Sequence, residues 1–376
     1  MKVLVCCVPQ AGHVNPMLPL IKAFVDAGDT VVAATGADVR QSIEATGATW
    51  QEAGASLPQW FERLSGRIRG NPGDGLPAER ISAYFVPRLF AEIIADDMVD
   101  GVLAAGRALE PDLLLHDGYA FAGPLVAALL DVPSAQQSFG PLTEPDILQL
   151  AADAVSPLWR SFGRNVPPYA GVYRGATIAI CPPSLDPEPV PLGEGLALRP
   201  APTPTEQKDL QSPPLVYVTL GTLWADPELL RTVLDALAGE PLQVIVTTGQ
   251  LDPADLGSLP ANARAERYIP QQELLPRCSA IVHHGGAGTM FGALAHGVPQ
   301  LVLPQAADNY INADLLATAG AARVLLPQEV SLESVRATVS EVLTDVGIAD
   351  RGAALAAEIA AMRDAVEVAE QLRAWI

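Results

Sequence analysis

Basic residues are scarce in this chain. Only 23 Lys and Arg stand against 43 Asp and Glu, a formal charge of −20. That balance excludes a surface built to wrap nucleic acid or to dock on an anionic membrane, because both need clustered cations. A local anion site is still compatible with it. Cysteine is nearly absent. Cys6, Cys7, Cys181 and Cys278 form no CxxC pair, which argues against a disulfide scaffold or a zinc site and fits buried thiols in a reduced compartment. No apolar run reaches the roughly 18 residues of a membrane span, and the opening strand gives way to polar residues too early for a secretory leader. The expected location is therefore cytoplasmic. Aromatics amount to 5% and charged residues to 18%, while 49% of the chain is hydrophobic. The apolar mass is thus small and aliphatic, and disorder is excluded. At 376 residues the chain has material for two or three cores without staples.

Hydrophobic runs and helical patterns alternate. Lys2–Val8 reads as a strand, followed by the loop Pro9–His13. Asn15 and Pro16 read as cap and first residue of a helix whose buried stripe is Met17, Leu20, Ile21 and Phe24. Gly28 ends it, and Thr30–Ala34 is the next strand. Asp112–His116, Phe121–Leu130 and Val132–Gln136 repeat the βαβ pattern, which builds parallel sheets. Residues 52–100 are less regular and carry Trp60, Phe61, Tyr84, Phe85 and Phe90. They fit a binding loop and a helical insertion packed on its own domain equally well. Prolines 182, 183, 200, 202, 204, 213 and 214 mark an extended linker. A second α/β unit follows, with strands at Leu215–Leu220, Gln243–Thr247, Ile281–His283, Gln300–Leu303 and Arg323–Leu326. The expected fold class is α/β, with two doubly wound Rossmann-like domains and a ligand cleft between them. The boundaries are 1–195, a linker at 196–214, 215–358, and a C-terminal helix at 359–376.

The sharpest chemical signal is His283-His284-Gly285-Gly286-Ala287-Gly288-Thr289, which leaves a strand and opens a helix. Glycines let main-chain N–H groups approach an anion, and the helix N-terminus adds partial positive charge. His284 and Thr289 add side-chain donors. The segment fits neither a P-loop nor a dinucleotide fingerprint. The second signal is Gly12-His13 after the first strand, where such a sheet presents its ligand. An imidazole there suits a general base, and Asp117, ending another strand, is a candidate partner. By spacing alone, a capping His with an unrelated turn Asp fits equally well. A third cluster, Pro304 to Asn309, offers Asp308 and Asn309 to sugar hydroxyls or as a helix cap. Asp96, Asp97 and Asp100 fit a solvated helix face better than a metal site.

These segments resemble the family 1 glycosyltransferases of the GT-B fold, in particular the bacterial branch acting on natural products. The matching stretches are GHVNPMLPL, LVYVTLGT, LAAEIAAM and the long YIPQQELLPRCSAIVHHGGAGTMFGALAHGVPQLVLPQAADNYINADLL. The resemblance implies that His13 is the base on the acceptor hydroxyl and Asp117, in LLLHDGYAFAG, its partner. It implies diphosphate contacts from His284, Gly288, Thr289 and Thr222, with Gly12 and Gly286 also at the donor. Tyr268 and Ile269 would pack the nucleobase, and Asp308 with Asn309 the sugar. Asn309 departs from the more common Gln. UDP-sugar members carry a Glu eight residues after His284, where this chain has Gly292. The implied donor is therefore a dTDP-deoxyhexose, used as co-substrate without cofactor or metal, with UDP as the alternative. The implied acceptor is a hydrophobic small molecule, its hydroxyl attacking with inversion, and the implied assembly a monomer or homodimer. A nucleotide-sugar epimerase and a non-catalytic partner protein share the fold. A nicotinamide-dependent dehydrogenase is disfavoured by the missing GxGxxG.

Overall fold

The computed structural model describes residues 1–67, 76, 80–185, 194–200, 212–221, 226–306 and 308–376. The chain divides into two compact units. The first comprises Met1–Cys181, Pro187–Arg199 and Arg363–Ile376; the second comprises Pro182–Asp186 and Pro200–Met362.

In the first unit the described strands are β1 (Lys2–Cys6), β2 (Thr30–Thr35), β3 (Thr49–Glu52), β4 (Leu113–Asp117), β5 (Ser134–Gln137), β6 (Ala176–Ala179) and β7 (Glu194–Ala197). They form one parallel sheet in the order β3-β2-β1-β4-β5-β6-β7. Helices cover both faces, so β1 and β4 are buried on both sides, and Val3–Cys6 and Leu113–Leu115 within them read as apolar runs. Cys6 and Cys7 are both fully buried, and burial pushes the Cys7 thiol up to about 12. The direction of chain winding reverses at β1. Its neighbours are β2 on one side and β4 on the other, so the loops leaving β1 and β4 diverge and open a crevice at their carboxyl ends.

Local differences from expectation have backbone causes. The loop expected over residues 9–13 contains a single helical turn, Ala11–Val14, and the following helix begins at Leu18 rather than Pro16. Pro16 and Pro19 lack the N–H groups that would have joined the two pieces. The described part of the 52–100 segment is helical and packed on its own unit. Trp60, Leu64, Val86 and Ile94 are buried in that unit's core. Val86–Ile94 winds as a π-helix, closing with the N–H of Ala95 on the carbonyl of Phe90. Asp97 does not sit on a solvated face. Its carboxylate accepts from Ala55 N (2.7 Å), Trp60 Nε1 (2.9 Å) and Arg63, fixing the turn before Leu57–Ser65.

The final helix, Ala365–Trp375, packs on Leu18–Asp26 within the first unit. Arg373 donates to Asp29 at 2.6 and 3.1 Å, and the amino terminus donates to the same carboxylate at 2.8 Å. Leu196 and Ala197, expected in the linker, belong to β7. Residues 201–211 of that linker lie outside the described residues.

The second unit repeats the plan with β8 (Leu215–Thr219), β9 (Gln243–Thr247), β10 (Ala263–Glu266), β11 (Ala280–His283), β12 (Gln300–Val302) and β13 (Ala322–Val324). The order β10-β9-β8-β11-β12-β13 is again parallel, with its reversal between β8 and β11. Among the described residues, no helix is long and apolar enough to cross a membrane.

Candidate active site

Each sheet carries a constellation at its own reversal point. In the first unit, β1 leads into the turn that holds His13, and β4 ends on Asp117. The residues are 104 apart in sequence, yet His13 Nδ1 and Asp117 Oδ1 lie 3.1 Å apart. Asp117 is fully buried and His13 nearly so. The carboxylate is held by more than the imidazole. Oδ2 accepts from Val8 N at 2.6 Å, and Oδ1 also accepts from Tyr119 N at 2.8 Å. These donors offset the cost of burying a carboxylate. An acceptor on Nδ1 places the ring proton there and leaves the lone pair on Nε2, the arrangement of a general base. Aromatic rings hem in the imidazole: Phe139 at 4.1 Å between centroids, Phe90 and Tyr119 each at 5.8 Å. Gly12 sits exposed beside His13, with open space where a Cβ would stand. His116, adjacent to Asp117, points to the opposite face of the sheet and takes no part. Burial holds its pKa below the ordinary value.

In the second unit, β11 delivers the paired histidines. His283 Nδ1 accepts from Gly285 N at 3.1 Å and Nε2 meets Gln300 Oε1 at 2.9 Å. Burial, with the neighbouring His284, lowers its pKa to about 3, so it is a neutral brace for the turn. His284 is lowered to about 4 by burial, against a raising contribution from the Thr219 main chain. Its ring is sandwiched between glycines. A Cβ on Gly221 would meet Cε1 at 2.8 Å, and one on Gly286 would overlap Nε2. His284 Nδ1 is buried and has no hydrogen-bond partner among the described residues.

Gly285 has φ +91°, and a Cβ there would meet the Asn309 carbonyl at 2.8 Å. The Gly-rich turn is thus interlocked with the loop after β12. Asn312 reinforces this by donating to Gly285 O (2.8 Å) and to Asp308 Oδ2 (3.0 Å). Asn309 is buried, and its Oδ1 accepts from Ala306 N at 3.2 Å. Part of its amide therefore serves the loop itself. Gly286 caps the helix Ala287–Ala295 with no side-chain partner for the first N–H groups, the arrangement that receives anions. Gly288 is exposed on the first turn. Thr289 Oγ1 accepts from Gln271 Nε2 at 3.1 Å, which aims its hydroxyl while leaving its proton to donate. A Cβ on Gly292 would meet Leu275 Cδ1 at 3.2 Å and Gln271 Oε1 at 3.5 Å. Ile269 packs on the apolar cluster of Leu274 and Leu275, and Tyr268 is 70% exposed. Thr222 lies outside the described residues.

The structure thus gathers Gly12, His13 and Asp117 in one unit. In the other it gathers His284, Gly286, Gly288, Thr289, Asp308 and Asn309. Sequence reasoning missed Gln271, Asn312 and Phe139, and it named Phe90 among the aromatics of residues 52–100 without placing it beside His13. Gln271 stands in the quoted PQQ segment, and Asn312 lies one helical turn beyond Asp308. Phe90 depends on a π-helical register that apolar periodicity does not reveal.

Comparison with known proteins bears on this geometry. Residues 231–375 match the erythromycin biosynthesis protein CIII-like C-terminal domain. The L-demethylnoviosyl transferase of Streptomyces niveus is 34% identical over 85% of this chain and 84% of its own length. Among solved structures, the glycosyltransferase SnogD from Streptomyces nogalater aligns with a TM-score of 0.77 and 29% identity, covering 100% of this chain and 99% of its own. The SsfS6 glycosyltransferase of Streptomyces sp. SF2575, complexed with thymidine diphosphate, aligns with a TM-score of 0.79 and 25% identity over 100% and 99%.

Proposed function

This chain belongs to the family 1 natural-product glycosyltransferases, and from that membership we propose that it moves a deoxyhexose from a dTDP-sugar to a hydroxyl of a hydrophobic aglycone, inverting the anomeric centre. The observation that carries the reading is the buried His13–Asp117 pair, with Nε2 left as the proton acceptor. As the acceptor oxygen attacks the anomeric carbon, its proton passes to Nε2, and Asp117 stabilises the imidazolium. The bond from the sugar to the diphosphate breaks and the electron pair leaves with the phosphate. The first turn of Ala287–Ala295, with Thr289 and His284, meets that charge. No metal enters this scheme. Asp308 and Asn309 hold the sugar, and Tyr268 and Ile269 the base.

Thymidine in the donor is supported by Gly292. It supplies no carboxylate for a ribose 2′-hydroxyl, and Leu275 and Gln271 crowd the space beside it. The thymidine diphosphate complex of the SsfS6 relative points the same way. Two measurements test the reading. Calorimetry should give tighter binding of dTDP than of UDP, and the reverse order overturns the donor assignment. His13→Ala should lower the transfer rate about 10²- to 10⁴-fold with dTDP affinity unchanged; full turnover in that variant removes His13 as base.

A further inference from the structure

The chain is poor in aromatics, yet several of them gather near one side chain. Three of its eight phenylalanines, Phe90, Phe121 and Phe139, lie in the ring network that includes His13. Three rings approach His13 directly. Phe139 is tilted 37° to the imidazole, Phe90 28° and Tyr119 51°. The three also contact one another, with Tyr119 and Phe139 edge to face at 4.9 Å and Phe90 and Tyr119 at 5.0 Å. Core packing accounts for Trp60, Trp159 and Phe121, which are buried. Tyr119 is half-buried and packs against that core on one side; Phe139 is half-buried and lies outside the core cluster, beside the imidazole. The groups fronting the accessible part of His13 are therefore π-faces and ring edges. A second ring cluster precedes the π-helix, where Phe85 meets Phe61 and Tyr84 at 6.1 and 5.2 Å.

We propose that the acceptor is an aryl compound whose ring stacks against Phe139 and Tyr119, with Phe90 behind, and whose ring hydroxyl faces Nε2 of His13. This rests on the reading of His13 as base. Flat rings present offset and edge-to-face partners to such a cluster, which a saturated ring cannot. The chemistry agrees. An aryl hydroxyl ionises near pH 10, as tyrosine does, closer to imidazole near 6.5 than an aliphatic alcohol, so less of the proton transfer is uphill. The O–H proton goes to Nε2, the oxygen forms the bond to the anomeric carbon, and the diphosphate departs with the bonding pair.

The test is equilibrium dialysis of the full chain with 2-naphthol and with decahydro-2-naphthol, which place the same hydroxyl on flat and saturated rings. Naphthol should bind about tenfold tighter, from contacts with two or more rings. A ratio below about threefold, or no binding of either compound, overturns the proposal. Phe139→Leu, with folding checked by its melting curve, should bring the ratio close to one; an unchanged ratio removes Phe139 from the site. The dialysis needs neither donor nor turnover. A failed base assignment would show in the His13→Ala rate while the binding ratio stood, and a failed acceptor class would show in the ratio alone.

Discussion

Replacing Asp117 by Asn keeps the side-chain shape and removes one acceptor, and the surroundings leave the amide no good orientation. Oδ2 receives Val8 N, while Oδ1 receives both Tyr119 N and His13 Nδ1. If the amide oxygen takes the Oδ1 place, its NH₂ faces the Val8 N–H at the 2.6 Å position, and two buried donors oppose each other. If the oxygen takes the Oδ2 place, the NH₂ faces Tyr119 N and His13 Nδ1. The imidazole must then carry its proton on Nε2 and loses its function as base. Either arrangement leaves at least one buried donor unmatched, a cost of roughly 1–3 kcal/mol. About 2 kcal/mol lowers the melting temperature of a domain this size by about 4–8 °C. The wrong tautomer removes general-base assistance, about 10²- to 10⁴-fold in kcat, with the KM for the nucleotide sugar unchanged. Initial rates of nucleoside diphosphate release give kcat and KM, and circular dichroism gives the melt. An Asp117→Asn enzyme within tenfold of wild-type kcat and melting at the same temperature would refute the reasoning.

Gly286→Ala drives a methyl into His284 Nε2, so the imidazole must leave its slot. We expect dTDP affinity to fall at least tenfold by calorimetry, with an overpacking cost of about 1–3 kcal/mol; unchanged affinity would separate His284 from nucleotide binding. The second unit should lose stability in mild acid. His283 and His284 protonate at about 3 and about 4 when folded and near 6.5 when unfolded. Their contribution is complete above pH 6.5 and is lost as pH falls from there toward those folded values. At pH 5 linkage gives about 2 kcal/mol for each, read as a lower denaturant midpoint for that unit than at pH 7.5. Equal midpoints would contradict the buried neutral histidines.

Much of the architecture is legible in the residues. Aliphatic runs such as Val3–Val5 and Leu113–Leu115 are buried on both faces, and only a covered parallel sheet tolerates such strands. The Gly-rich turn is legible because glycine at 285 meets a local constraint, a positive φ. What stays illegible depends on non-local contact. Asp97 reads as a solvated acid until the fold brings Ala55, Trp60 and Arg63 to it. Trp60 suits a binding loop as well as a core, and the fold makes it core, because burial depends on what covers a ring.

The residues alone specify the two α/β units, the Gly-rich turn that opens a helix at residues 284–289 and the candidacy of His13 and Asp117. These follow from local periodicity, local backbone conformation and side-chain chemistry. The assembled fold adds that His13 and Asp117 are partners, that His284 is wedged between two glycines, and that Phe90 and Phe139 lie beside the His13 imidazole. Strand order brings residues 104 positions apart to 3.1 Å, and strand order is settled by how whole faces bury one another, a property no short stretch of residues contains.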